Sequence, residues 1–315
     1  MKLKKKIISL IKCNNDIALF FHEYPDGDAL GSVFGFYSFI KKKYPKKNIN
    51  IIGIDELDNH YLNKFLKFEP LPNYNDEWIS KSLGIVFDCA NSDRVFTKKH
   101  LLCNKTIVID HHISNERYGN INWVNEKYSS CCEMVSKLLL KWSPRVFDNT
   151  IASFLYLGMV TDTNRFFYSC TTARTLKIAS KLYKYMSNPA SINLLLNERT
   201  VNEIKFNNIV QSLINFDLAN HIAYLLIPEN IFEEHNIFPN SMIWLMSNIN
   251  DIEIWTSLYY DKTNNVWKGS LRSKTLDISP IASKFNGGGH KNASGFKLDN
   301  KADFNKVIDE IKKCN

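Results

Sequence analysis

The sequence predicts an α/β fold in two parts: an N-terminal domain whose mostly parallel sheet is flanked by helices, and a smaller C-terminal α/β domain. Three observations predict it. Short apolar runs, Ile17 to Phe21, Ile51 to Ile54, Ile85 to Phe87 and Thr106 to Ile109, are separated by mixed or helical segments, as in a parallel sheet. Helical patterns then dominate from Ser129 to about Phe206. Beyond about Asp217 come longer alternating runs at 221–227, 252–260 and 266–272, which predict a second, strand-rich domain. We place the first domain at 1–190, a helical and polar connection at 191–214, and the second domain at 215–315, with no internal repeat or low-complexity linker.

The first strand runs into the polar loop HEYPDGDALGS, after which Leu30, Val33, Phe34, Tyr37 and Ile40 recur at helical spacing. The stretch KKKYPKK at 41–47 reads as the solvated end of that helix before a proline. Cys131 and Cys132 read as small packing residues in a helix, and Tyr259, Tyr260 and Trp267 mainly as core residues of alternating strands.

At 315 residues and 44% hydrophobic content the chain can bury a sizeable core, and its 20 Phe and 14 Tyr exclude a disordered class. A net charge of +8 favours an anionic partner without naming one. Seven cysteines without a repeated CxxC spacing point to reduced thiols in a cytosolic protein. The apolar run Ile7 to Ile11 is shorter than the ~7 to 15 residues of an export signal. No uninterrupted apolar run approaches the ~18 to 20 residues needed to cross a bilayer, so the expectation is a soluble cytoplasmic protein without a membrane partner.

His22, Asp26 and Asp28 lie within seven residues after the first strand, where open α/β sheets place their sites. Alone, this cluster could equally be a turn in which Asp28 caps the next helix. The balance shifts because further acids or imidazoles follow apolar runs: Asp88 in FDCANSDR, then Asp110, His111 and His112, then Asp162 in GMVTDTNRF. Buried carboxylates cost several kcal/mol unless paired or metal-bound, so acids at several core ends call for a common cation. Carboxylate with imidazole suits Mn²⁺, and no thiolate cluster suggests structural zinc. His60, His100, His221 and His235 read instead as satisfied core histidines.

These four segments resemble, in order, the motifs of the DHH phosphoesterase superfamily, over most of residues 17–170. The resemblance implies that His22, Asp26 and Asp88 hold one ion, that Asp28, Asp88, His111 and Asp162 hold a second, and that Asp88 bridges them. It further implies that Asp110 orients His111 and that His112 faces the substrate and donates a proton or hydrogen bond to the leaving oxygen. Asn91 and Arg94 correspond to positions that contact phosphate. The cofactor expected is two Mn²⁺, with Mg²⁺ or Co²⁺ as substitutes, acting on a water that becomes the nucleophile.

Near the C-terminal end, GSLRSKTLDISPIASKFNGGGHKNASGF carries Arg272, Ser273 and Lys274 and the run Gly287, Gly288, Gly289 and His290. Glycines admit close backbone approach to an anion. Over roughly the last hundred residues this is similar to the nucleic-acid-binding DHHA1 domain, with Asn286 in place of a usual first glycine and Cys89 in place of a frequent Thr. A compact chain with both modules is similar to bifunctional oligoribonucleases that also act on adenosine 3′,5′-bisphosphate (pAp). The implied partners are short RNA oligonucleotides, pAp or dinucleotides, and a homodimer is compatible with them. At this level a phosphodiesterase of cyclic or linear di-adenosine nucleotides stays open, as does a non-catalytic nucleotide sensor.

Overall fold

In the computed structural model of the chain, residues 2–54, 74–237 and 239–314 are described, and two compact units divide at 198/199. The first unit runs α1 (Lys2–Cys13), β1 (Asp16–Phe20), α2 (Gly27–Lys43), β2 (Asn48–Ile51), α3 (Asp76–Lys81), β3 (Leu83–Phe87), β4 (Lys105–Asp110), β5 (Ile121–Val124), α4 (Cys131–Trp142), α5 (Asn149–Asp162), α6 (Ala173–Tyr183) and α7 (Ala190–Asn197). Its five strands pair in the order β2-β1-β3-β4-β5, and every pairing is parallel.

Successive side chains of a strand point to opposite faces, and here both faces are covered. Ile17, Leu19, Ile85, Phe87, Ile107 and Ile109 join the large core built with α2, α4 and α5. Ala18, Phe20, Val86 and Val108 pack on the other face with Ile79 of α3. This is why the strands read as continuous apolar runs. The register Phe87↔Ile109 and Asp110↔Val124 aligns the carboxyl ends of β3, β4 and β5 along one edge.

Two details differ from the sequence reading. The strand expected at 51–54 is Asn48–Ile51, because the chain turns at Gly53, whose φ is +86°. The four-residue β5 escapes notice because only Ile121 and Trp123 face the core. Lys47 is also not solvated: it is 7% exposed and donates to the Lys12 carbonyl at 3.1 Å and the Asn14 carbonyl at 2.5 Å.

The second unit comprises α8 (Val201–Ser212), β6 (Asn215–Asp217), β7 (Ile222–Leu226), α9 (Ile231–Glu234), β8 (Ile254–Asp261), β9 (Val266–Ser273), α10 (Ser279–Lys284), β10 (Gly288–His290), β11 (Ala293–Leu298) and α11 (Phe304–Lys312). Its mixed sheet has the order β10-β11-β9-β8-β7-β6, with β7 and β8 parallel and the other pairs antiparallel. Trp267, Leu271 and Phe296 pack against α11 on one face, while Ala223, Leu225 and Trp255 pack with α8 on the other. Alternation along β9 buries Trp267, Gly269, Leu271 and Ser273 and turns Lys268, Ser270 and Arg272 the opposite way. Trp267 is buried, and half-buried Tyr260 packs beside it with ring centres 5.2 Å apart at a 45° tilt. Among the described residues no helix is long and apolar enough to cross a membrane.

Candidate metal centre

The loop after β1 delivers His22, Asp26 and Asp28. Asp26, not Asp28, caps α2: its Oδ1 accepts from the Asp28 and Ala29 N–H groups at 2.9 and 3.0 Å. Asp28 is thereby carried into the first turn, where it is buried. Its carboxylate receives the N–H groups of Cys131 at 2.6 Å and Cys132 at 2.9 Å, the first turn of α4. Helix N-termini favour negative charge, which explains how a buried aspartate is held there. Gly158 makes room for it, since a Cβ there would lie 2.9 Å from Asp28 Oδ1. Cys131 and Cys132 are helical packing residues as expected, but their backbone donors were not legible in the sequence.

Asp88 follows β3 at φ 55°, a left-handed conformation that directs a 2% exposed carboxylate between two groups of ligands. Its Oδ2 lies 3.7 Å from His22 Nε2, which is itself 3.9 Å from Asp26 Oδ1. Its Oδ1 lies 3.4 Å from His111 Nε2, which is 3.5 Å from Asp162 Oδ2 and 3.9 Å from Asp28 Oδ2. That buried Oδ1 makes no hydrogen bond among the described residues. The oxygen and nitrogen atoms that His22, Asp26 and Asp88 could offer a cation, and those of Asp28, His111 and Asp162, each lie within 4.8 Å of one another. The six expected metal residues therefore converge, with Asp88 central.

The electrostatics of this cluster are strained. Burial disfavours charge on His22, but the nearby Asp88 carboxylate, with Asp26 behind, outweighs it and raises its pKa to about 9. Burial also disfavours charge on His111, and Asp88, Asp162 and Asp28 together still lift it well above the usual imidazole range. Asp162 is pushed up to about 7 by burial, opposed by His111 and reinforced by Asp88 and Asp26. Asp28 is raised by burial and by the neighbouring carboxylates.

Asp110 does not orient the His111 ring. Its Oδ1 accepts from the His111 backbone N–H at 2.8 Å and meets His112 Nδ1 at 2.7 Å, and its Oδ2 accepts from Asn115 at 2.6 Å. The imidazole it fixes is that of His112, which lines a cavity of about 120 Å³ with His22, Asp26, Asp88, Cys89, Ala90, Arg94 and Asp162. Arg94 faces this cavity and approaches Glu23 only at 3.7 Å. Asn91 uses its side-chain oxygen to cap a short 3-10 turn at the Arg94 N–H. Cys89 donates to the Asn91 carbonyl, and burial pushes its thiol up to about 11, so it is no thiolate ligand.

In the second unit the basic cluster divides. Lys274 places its ammonium on the Ile249 and Asn250 carbonyls at 2.7 and 2.8 Å, and Ser273 donates to the Leu276 carbonyl at 2.6 Å. Both hold the fold together, against the expectation of substrate contacts. Arg272 projects from the other face of β9 and donates to the Leu271 and Ser294 carbonyls. Asn286 takes φ 54°, a conformation Asn tolerates, and Gly289 takes φ 145°. Gly287 is required by space, because a Cβ there would lie 2.0 Å from the Gly295 carbonyl oxygen. Gly288 and His290 lie in edge strand β10, with His290 opposite Ala293. Of the other histidines, His100 is buried against Ser92 at 2.8 Å and His235 packs on Phe206. His221 is exposed at the end of a short turn, contrary to the core reading, and His60 lies outside the described residues.

Comparison with known proteins bears on the chain as a whole. The DHH family N-terminal domain matches residues 16–159 and the DHHA1 domain residues 236–315. An uncharacterised protein of Mycoplasma genitalium is 33% identical over 96% of this chain and 93% of its own length. The bifunctional oligoribonuclease and PAP phosphatase NrnA of the same organism is 30% identical over 97% of this chain and 96% of its own. An exopolyphosphatase-related protein from Bacteroides fragilis shares the fold, with a TM-score of 0.84 at 21% identity over 99% of this chain and 96% of that one. With a cluster of aspartates and histidines at the carboxyl edge of a parallel sheet, these matches identify the chain as a member of the DHH/DHHA1 phosphoesterase family and a hydrolase of phosphate esters.

Proposed function

We propose that the chain hydrolyses very short RNA, about two to five nucleotides long, to mononucleotides. It also removes the 3′-phosphate of pAp, using two divalent cations, Mn²⁺ by preference. The observation that carries this reading is the position of Asp88, whose two oxygens face separate groups of oxygen and nitrogen ligands. The names of relatives similar over the full length support the substrate class.

The residues fit a cation pair. A buried carboxylate oxygen without a hydrogen bond, in a cluster of four acids and two imidazoles, is stabilised by a metal ion that supplies the missing positive charge. All candidate ligand atoms are oxygen or imidazole nitrogen, which suits Mn²⁺. His22, Asp26 and Asp88 would hold one ion, and Asp28, Asp88, His111 and Asp162 the other. Bound there, the pair supplies Lewis acidity: it acidifies a water and offsets charge on the attacking and leaving oxygens.

The chain's own groups do the rest. Asp110 holds His112 through Nδ1, and the ring lines the cavity beside Asp88. Burial opposes a charged His112, but Asp110 and Asp88 raise its pKa, which suits it to donate a proton to the departing oxygen. Arg94 at the cavity offers a guanidinium to a phosphate. Arg272, the 287–289 backbone and His290 supply substrate affinity from the second unit. Acting on short RNA and pAp, the chain would work in the cytoplasm, a compartment that keeps thiols reduced.

The test is a panel at equal concentration with Mn²⁺: a dinucleotide, a pentanucleotide, a 24-mer, pAp and cyclic di-AMP. The short RNAs and pAp should be consumed first, yielding mononucleotides. Dominant turnover of cyclic di-AMP, or efficient digestion of the 24-mer, would overturn the assignment.

A further inference from the structure

Away from the metal centre, a cleft of about 450 Å³ lies between α4 and α6, lined by Lys137, Ala173, Arg174, Lys177, Ile178 and Lys181. It shares no lining residue with the metal cavity. Four of its six residues are cationic and none is acidic. Lys177 and Lys181 are four residues apart on α6 and so project from one face. Among the described residues neither has a carboxylate within ion-pair distance. Lys137 approaches from α4, where its ammonium lies 5.2 Å from the centre of the Tyr128 ring.

Behind the lysines the cleft has a wall held by hydrogen bonds. Arg174 Nε donates to Glu133 Oε1 at 2.5 Å, a terminal nitrogen donates to the Lys127 carbonyl, and the guanidinium stacks 3.9 Å from the centre of the Tyr128 ring. Glu133 is fully buried and also accepts from Ser129 and Thr175, so Arg174 is held from behind. After Glu133 is balanced by Arg174, three lysine charges still converge on the cleft. Like charges brought together without counter-ions repel, and a multivalent anion relieves that repulsion.

We propose that this cleft binds a linear oligophosphate, either inorganic or carried by a nucleoside triphosphate. Its volume falls in the ~300 to 1,000 Å³ range of small-ligand pockets. The lining holds no aromatic platform for stacked bases, which distinguishes it from a single-stranded RNA groove. Ala173 and Ile178 add apolar surface, and the four cations in the lining suit the rows of oxygens on a phosphate chain.

The test is calorimetric titration of the full-length protein with inorganic tripolyphosphate in EDTA, which removes metal-mediated binding. Wild type and Arg272→Ala should bind alike. Lys177→Glu/Lys181→Glu should lose about tenfold or more in affinity. Lys177→Ala/Lys181→Ala, which suits the helix, should show a smaller loss in the same direction and serves if charge reversal prevents folding. ATP binding as tightly as tripolyphosphate identifies the phosphate chain as the recognised part, whereas tighter ATP binding that is lost in the same variants identifies the nucleotide as the source. Unchanged tripolyphosphate binding in both lysine variants, or loss in Arg272→Ala alone, overturns the proposal. Preferential binding of a 24-mer RNA through the same lysines replaces it with a nucleic-acid groove.

Discussion

Replacing Asp88 by asparagine removes the charge that faces both ligand groups and leaves the backbone in place, because asparagine adopts the left-handed region at φ 55° with little strain. Its oxygens lie 3.7 Å from His22 Nε2 and 3.4 Å from His111 Nε2. At an effective dielectric near 20, a unit charge pair at this range is worth about 5 kcal/mol before desolvation. Asp88 is thus a main reason that His22 titrates near 9, and in the variant that value should fall toward the ordinary imidazole range. Losing a residue that merely supports a ligand costs about 10 to 100-fold in metal affinity, so losing a shared ligand should cost at least about 100-fold, or ~3 kcal/mol, for each ion. The assay combines elemental analysis of Mn²⁺ after dialysis with phosphate release from pAp. Turnover should fall at least about a hundredfold, with the circular dichroism of the metal-free protein unchanged. A variant that keeps two Mn²⁺ per chain and wild-type turnover would falsify the assignment of Asp88 as a shared ligand.

Three further outcomes follow from the geometry. Arg272→Ala should raise KM for a trinucleotide, whereas Lys274→Met should lower stability by about 1 kcal/mol with little change in KM, because its ammonium serves two backbone carbonyls. The opposite pattern in steady-state kinetics and thermal melts would restore Lys274 as a substrate residue. Gly287→Ala drives a Cβ into the backbone of Gly295 and Phe296 and should destabilise by about 1 to 3 kcal/mol, while Gly288→Ala, with nothing within 4 Å, should melt like wild type. Metal binding at pH 7 should release protons, since His22 titrates near 9 and Asp162 near 7 in the metal-free protein and both must lose a proton to act as ligands. Apparent affinity should therefore rise with pH from 6 to 9, and the calorimetric enthalpy should vary with the buffer's ionisation enthalpy. A buffer-independent enthalpy contradicts this charge state.

Much of the candidate site was legible because loops bearing aspartate and histidine follow runs such as Ile17 to Phe21 and Ile85 to Phe87, which are apolar on both faces and leave few other readings. Side-chain chemistry is written in the sequence, and backbone donors are not. That Asp28 is held by the N–H groups of Cys131 and Cys132, more than a hundred residues away, could be learned only from the fold. The same limit explains the exchange of capping roles between Asp26 and Asp28, and the pairing of Asp110 with the His112 ring. Lys47 looked solvated by its charged neighbours, and Ser273 and Lys274 substrate-facing by family resemblance, yet each finds a backbone carbonyl acceptor. His221 was misplaced for the converse reason: an apolar strand follows it, but it belongs to the exposed turn before that strand.

The central claim is that two cations share Asp88 and that phosphate-ester hydrolysis needs both. Metal-free protein would be titrated with Mn²⁺ while bound ions per chain and the rate of dinucleotide hydrolysis are followed together, and crystals from the endpoint would be examined for anomalous scattering. The account predicts little turnover until the second equivalent binds, and two anomalous peaks flanking the Asp88 carboxylate about 3.5 to 4 Å apart. Full turnover with a single ion or in EDTA, or one peak away from Asp88, would contradict it.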